Sequence, residues 1–242
     1  MKDFEVLEKK LKVNFNNKDL LKQAFTHRSY LNENPRPEGA RLAPQSGAAG
    51  LEHNERLEFL GDAVMELIVT EHLYKDYPEK TEGDLTNWRA ALVNAKMLTT
   101  VADELGFNDF LLLSRGETKE LGKARAYILA NTFEAFLGAL YLDSGFNACD
   151  EFIKEHLLIK IADIIKDGSY KDAKSKFQEE AQERVSITPN YKVIKEEGPD
   201  HEKNFTVGVY LNEDLVAEGE GSSKQEAEES AAQMAIEAKH WK

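Results

Sequence analysis

Cysteine is nearly absent from this 242-residue chain. The single Cys149 excludes an internal disulfide, and no Cys/His spacing resembles a zinc site. Long apolar runs are missing too: none approaches the ~18 residues of a membrane span. The amino end, Met1 to Lys10, lacks the basic-then-apolar layout of a secretion signal. The expectation is a cytoplasmic protein with no membrane partner. Positive charge is in deficit, with 31 Lys and Arg against 44 Asp and Glu and a formal net charge of −13. Bulk attraction therefore does not drive binding to nucleic acid or anionic lipid, although local basic patches remain open. Carboxylate is what the chain has in excess, and one use for crowded carboxylates is a metal site.

Against a prior of ~150 residues per domain, the length predicts two domains. The first 168 residues read almost entirely as helix. Segments Asp3–Leu11 and Lys18–Phe25 come first, and a long helical period runs from an Asn54 cap to Tyr77, stopped by Pro78. One helix is expected from Thr81 or Glu82 to Leu105, with Gly106 behind it. Another runs from about Tyr127 to Ser144, closed by Gly145, and a last amphipathic helix ends at Asp167-Gly168. Residues 34–50 hold three Pro, three Gly and no aromatic side chain, the composition of an exposed mobile loop.

After Tyr170 the pattern changes. A helix over Asp172–Arg184 precedes three short strands, Tyr191–Glu197, Asn204–Leu211 and Leu215–Glu220. Phe205, Val207, Val209 and Leu211 alternate with polar residues or glycine, the mark of a half-buried strand. A closing helix, Ser223–Lys239, sets Ala227, Ala231, Met234, Ala235 and Ala238 on one face. The fold class is mainly α: a helical domain over 1–168, then a small α+β domain of order αβββα over 170–242.

The densest chemistry lies in Asn54-Glu-Arg-Leu-Glu-Phe-Leu-Gly-Asp-Ala63. Glu55, Glu58 and Asp62 sit at i, i+3 and i+7, so at ~100° per residue they point within about 60° of one another. Leu60, Val64, Leu67 and Ile68 are expected on the opposite arc, facing the core. Acids stacked this closely repel, and a hard divalent cation between them turns the repulsion into binding. Asn131 and Glu134 stand at i and i+3 on a second helix and could complete one cation cleft beside Glu58 and Asp62, with Glu82 as a further contributor. An acidic row of this kind is by default a solvated helix face. Gly61 argues otherwise: mid-helix, it costs about 1 kcal/mol relative to Ala and so calls for a close approach of backbones. Arg56 among the acids points the same way.

Asn54-Glu-Arg-Leu-Glu-Phe-Leu-Gly-Asp-Ala-Val64 resembles the signature of the ribonuclease III family of double-stranded-RNA endonucleases. The likeness extends through Thr26-His-Arg-Ser29, Glu82-Gly-Asp-Leu85, Arg89-Ala-Ala-Leu-Val93, Ile128-Leu-Ala-Asn-Thr-Phe-Glu-Ala135 and Gly138-Ala-Leu-Tyr-Leu-Asp143, and into the second domain. It implies Mg²⁺-dependent hydrolysis of phosphodiesters in duplex RNA, with Mn²⁺ as an alternative ion, leaving 5′-phosphate and 3′-hydroxyl ends and short 3′ overhangs. Ribosomal and messenger RNA processing is the implied setting, and a homodimer the implied form. Carried onto this chain, the metal-site positions fall on Glu58, Asp62, Asn131 and Glu134, with Asp62 and Glu134 as the catalytic pair. Auxiliary acids fall on Glu55 and Glu82, and the aromatic plug into the partner subunit on Phe59. The family's usual Asp is Asn131 here, which removes one negative charge.

Residues 170–242 carry 10 Lys and Arg against 16 Asp and Glu, a balance that does not announce an RNA binder. The likeness to a double-stranded-RNA-binding domain rests on placement instead. Gln178 on the first helix of this domain and His201 in the loop between its first two strands are expected at minor grooves. Ser223 and Lys224, opening the last helix, are expected at phosphate. Gln225 stands where the family usually has a further basic residue, which predicts weaker, still salt-sensitive binding. His27 reads as a hydrogen-bonded structural residue and Trp88 as packing or interface. Two alternatives stay open: a catalytically weak or silent duplex-RNA-binding homologue, because of Asn131, and a structural helical dimer with no RNA role.

Overall fold

The computed structural model describes residues 2–34, 52–119, 121–167, 173–199 and 203–241, and the chain separates into two units, Met1–Asp167 and Gly168–Lys242. The first is built from α1 (Phe4–Leu11), α2 (Lys18–Ala24), α3 (Arg28–Glu33), α4 (Glu55–Asp76), α5 (Glu82–Val93), α6 (Ala95–Glu104), α7 (Lys123–His156) and α8 (Ile161–Asp167). Several starts have a local cause. Asp3 and Asn17 accept from the amides of Glu5 and Asp19, and Thr81 with Asp84 forms a reciprocal capping box on α5. Phenylalanine fills the centre: Phe25 lies 4.9 Å from Phe107, which is 5.3 Å from Phe136, itself 4.9 Å from Phe152.

Several sequence expectations shift here. The single helix expected over 81–105 is two, broken at Asn94, whose backbone is extended (ψ 156°). Its side chain serves both ends of the break, donating to the Ala91 carbonyl (3.0 Å) and accepting from the Met97 amide (2.9 Å), so apolar periodicity reads straight through. Asn54 occupies the position before α4 but caps nothing. It is buried, and its amide donates to the Ala24 carbonyl instead (3.1 Å). α3 was not expected at all; His27 caps it by accepting from the Ser29 amide (3.3 Å). α7 begins at Lys123 rather than Tyr127. Gly145 interrupts it at φ 80°, as its expected stop implies, but helix resumes to His156. The last amphipathic helix is thus three pieces: the distal part of α7, a 3₁₀ turn at Leu158–Lys160, and α8. Residues 35–50 of the expected loop lie outside the described residues.

The second unit consists of α9 (Ala173–Val185), β1 (Asn190–Glu197), β2 (Asn204–Leu211), β3 (Asp214–Gly221) and α10 (Lys224–Ala238), the expected αβββα order. The sheet is antiparallel in the order β1-β2-β3, with Val193 opposite Val207 and Val207 opposite Gly219. Phe177, Ala181, Val209, Leu211, Ala231, Ala232, Ala235 and Ile236 form its core. Met234, expected on the buried face of α10, is 49% exposed, and Ala238 is exposed as well. α10 packs against both β3 and α9, which turns its buried arc toward Ala232 and Ile236. Gly219 permits the approach, since a Cβ there would lie 2.0 Å from the Ala231 amide nitrogen. No described helix is long and apolar enough to cross a membrane.

Candidate active site and nucleic-acid interface

Two glycines set the geometry of the acidic cluster. A Cβ on Gly61 of α4 would fall 1.7 Å from the Glu134 carbonyl oxygen of α7, and a Cβ on Gly138 would fall 2.1 Å from the Leu57 carbonyl oxygen. The helices therefore meet backbone to backbone, which is the close approach that a mid-helix Gly61 implies. Glu58 and Asp62 flank that contact on α4, and Asn131 and Glu134 flank it on α7.

The four side chains interact across it. Asn131 donates a hydrogen bond to the Glu58 carboxylate. Burial raises the Glu58 pKa above its ordinary value, and Glu55 and Asp62 push the same way while the Asn131 bond opposes them. Glu134 is pushed up to about 8, mainly by burial and further by Asp62 and Glu58. Among the described residues no three His, Cys, Asp or Glu side chains already stand in metal-coordinating positions. Three mutually repelling carboxylates and an amide nonetheless make an oxygen-donor set of the kind that hard divalent cations take.

The acids do not lie opposite the core, as the sequence arc placed them. Leu57, Gly61, Val64, Met65, Ile68, Val69 and Leu73 are the buried positions of α4, and the acids border that arc on the α7 side. This border is why burial acts on Glu58. Leu67, expected to face the core, is 57% exposed. It joins Phe59 (80%) and Tyr74 (73%) in an apolar stripe at i, i+8 and i+15 on the outer face of α4.

Glu55 lies close enough to raise Glu58. It is itself approached by Arg28 (3.6 Å), from the Thr26–Ser29 motif, and by His53 Nδ1 (3.7 Å), which sequence reasoning did not single out. Glu82 stands apart: it opens α5, its carboxylate accepts from Thr86 Oγ1 (3.0 Å), and it is not among the groups that shift Glu58 or Glu134. Gly138 is the other residue that sequence reasoning missed, although a glycine inside an apolar helix repeats the signal of Gly61. His27 Nδ1 pairs with Ser29 Oγ (2.8 Å), which accepts from the Ser114 amide (3.1 Å), a structural role. Trp88 is packed, edge-on to Tyr77 at 5.0 Å.

In the second unit Gln178 is exposed on α9. Ser223 caps α10, its hydroxyl accepting from the Glu226 amide (3.2 Å). Lys224 is half-exposed; its Nζ lies 3.2 Å from Glu196 Oε1 and 5.6 Å from the Phe205 ring centre. His201 lies outside the described residues.

Comparison with known proteins decides what this arrangement belongs to. Residues 17–161 match the family described as Ribonuclease-III-like, and residues 173–239 match the Double-stranded RNA binding motif. The chain is 44% identical over 228 residues to Ribonuclease 3 of Borreliella afzelii, covering 94% of this chain and 88% of that protein. The chain belongs to the ribonuclease III family. It is also 43% identical over 231 residues to Ribonuclease 3 of Carboxydothermus hydrogenoformans, covering 96% and 93%. Among solved structures it resembles the nuclease domain of ribonuclease III from Campylobacter jejuni, with TM-score 0.53 and 38% identity over 66% of this chain and 95% of that one. A further structure of that nuclease domain, at 37% identity, is described as showing flexibility in a region involved in its dimer formation.

Proposed function

We propose that this ribonuclease III cuts duplex RNA with a divalent cation, Mg²⁺ first and Mn²⁺ as a substitute, held by Glu58, Asp62 and Glu134 with the Asn131 amide. Endonucleolytic action on double-stranded RNA in RNA processing follows from the family, given near full-length identity to proteins named Ribonuclease 3. The observation that carries the finer reading is the close contact of α4 and α7 at Gly61 and Gly138, which brings Glu58, Asp62 and Glu134 near enough for their charges to act on one another. A fold that gathers acids against their own repulsion, through a backbone contact at Gly61 and Gly138, provides for a positive charge among them.

A bound divalent cation supplies an activated water and stabilises charge on the departing oxygen, chemistry that a phosphodiester without a good leaving group requires. The chain's own part is to hold three carboxylates at the edge of a helix contact, Glu58 and Glu134 half-buried and Asp62 exposed. Because the Glu134 pKa is raised, cation binding there is coupled to proton release. The outcome is hydrolysis that leaves a 5′-phosphate and a 3′-hydroxyl.

The apolar stripe of Phe59, Leu67 and Tyr74 supports a homodimer, with Phe59 inserted into a second copy. Each subunit then cuts one strand, giving short 3′ overhangs. Gln178, Ser223 and Lys224, with His201, engage the grooves and phosphates of the duplex.

Asn131 favours a second reading, in which cleavage is weak because one negative charge is missing. Cleavage of a long RNA duplex over a Mg²⁺ titration tests both. Cutting that saturates with Mg²⁺, and an Asn131→Asp variant that reaches saturation at about 10- to 100-fold lower Mg²⁺, is the expected result. Normal duplex binding with no cutting at any Mg²⁺ concentration would leave the wild-type protein a silent homologue.

A further inference from the structure

We infer that Glu196 at the end of β1 is an internal competitor for the phosphate-binding lysine of the second unit, so that duplex RNA binds by displacing Glu196 from Lys224. The inference rests on the assignment of Lys224 as a phosphate contact.

Several observations converge on this pair. Lys224 Nζ lies 3.2 Å from Glu196 Oε1, and the two side chains retain 58% and 42% of their exposure. The contact joins the end of β1 to the first residue of α10 across β2: Glu196 stands opposite Phe205, and Phe205 opposite Gly221, three residues before Lys224. The same ammonium lies 5.6 Å from the Phe205 ring, which fixes it over the strand that separates the two. At this helix start the other nearby carboxylate, Glu226, accepts from the Ser222 amide (2.8 Å) and the Ser222 hydroxyl (2.5 Å). Among the described residues, Glu196 is the acid paired with the lysine. Elsewhere in the unit the same habit recurs: Lys174 pairs with Glu228 (2.6 Å) and Lys195 with Glu197 (2.7 Å). With 10 basic against 16 acidic residues from 170 onward, lysines that would face phosphate are partly spoken for.

The energetics fit an exchange rather than a lock. A half-exposed ion pair contributes little to stability and is screened by salt, so phosphate can replace the carboxylate without unfolding anything. The exchange still weakens binding, because the Lys224–Glu196 attraction must be given up. It also flattens the salt dependence: added salt weakens the internal pair along with the RNA contact, and the two effects partly cancel.

The test is duplex-RNA binding by the full-length protein in chelator, read by fluorescence anisotropy at several salt concentrations. Four proteins are compared: wild type, Glu196→Gln, Lys224→Ala and the double variant. Glu196→Gln is expected to tighten binding about two- to fivefold at low salt, with the gain fading as salt rises. Lys224→Ala is expected to weaken binding and reduce the salt slope by about one. The double variant should bind like Lys224→Ala alone, because Glu196 acts through that lysine. Glu213→Gln, which removes the same charge in the exposed turn between β2 and β3 at the far end of the sheet, should leave affinity nearly unchanged. Tightening by Glu196→Gln that persists without Lys224, or is matched by Glu213→Gln, would mean a general charge effect and overturn the inference. So would no tightening at all. A neutral Lys224→Ala would instead show that the phosphate assignment itself is wrong. Circular dichroism melts of all variants establish that each is folded.

Discussion

The two units keep the residues proposed to do their work in opposite surroundings. In the first, Glu58 and Glu134 sit at the edge of a backbone-to-backbone helix contact, where burial and like charges raise both pKa values. In the second, Gln178 and Lys224 ride on the outside of a small core made by Phe177, Val209 and Ala231, and neither helps to fill it. Stability and function therefore conflict in the nuclease unit and are separable in the RNA-binding unit. Acids that would be stable apart are forced together, a repulsion that the proposed cation would relieve. Surface side chains proposed to touch RNA need only a frame to stand on.

The sharpest way to break that contrast is Glu134→Gln. Cleavage with Mg²⁺ should fall by more than about 100-fold, since a directly ligating charge is lost rather than an outer partner. Stability of the ion-free protein should move the other way. A carboxyl whose pKa in the folded state is raised, here from 4.5 to about 8, destabilises the fold progressively as pH rises through that window and not below it. The glutamine variant escapes this. Discounted for partial exposure and shared repulsion, the relief at pH 8 is about 1–3 kcal/mol, and it should vanish near pH 4. Thermal melts in chelator at the two pH values check the sign, and a variant less stable than wild type at pH 8 would refute the frustrated-site account.

Next in size is the glycine contact. Gly61→Ala puts a methyl group against the Glu134 carbonyl, with no flexible side chain to yield, and overpacking of this kind costs about 1–3 kcal/mol or more. Gly83→Ala in α5 is the matched control: its added Cβ meets only Thr81 Oγ1 at 3.8 Å, so helix propensity should stabilise it by about 0.5–1 kcal/mol. Chemical denaturation of both reports the difference directly. Equal effects at the two sites would mean that α4 and α7 do not meet as described.

These glycines also show how far the sequence could be read. Gly61 was legible because a helix-breaking residue beside paired acids demands an explanation, and backbone contact with α7 supplies it. The order of elements in the second unit was legible from strand alternation in Phe205–Leu211. Asn94 was not, because one side chain that serves both helix ends leaves the apolar rhythm intact. Leu67 was placed inside because hydrophobicity alone cannot tell a core face from an outward apolar stripe. The raised pKa of Glu134 depends on what α4 brings to it, a relation between segments more than 70 residues apart that no local pattern encodes.

The smallest expected effect tests the other half of the contrast. Gln178 is exposed on α9, one position beyond the buried Phe177, so its side chain contributes to no packing that truncation would disturb. Gln178→Ala should weaken duplex binding about three- to tenfold, as loss of a minor-groove hydrogen bond does, while thermal stability stays within about 1 °C of wild type. Because the residue is neutral, the salt slope should not change, which separates it from Lys224. If Gln178→Ala lowered the melting temperature by several degrees, the binding surface of the second unit would be part of its structural core. The separation of stability from function would then fail where it is expected to be cleanest.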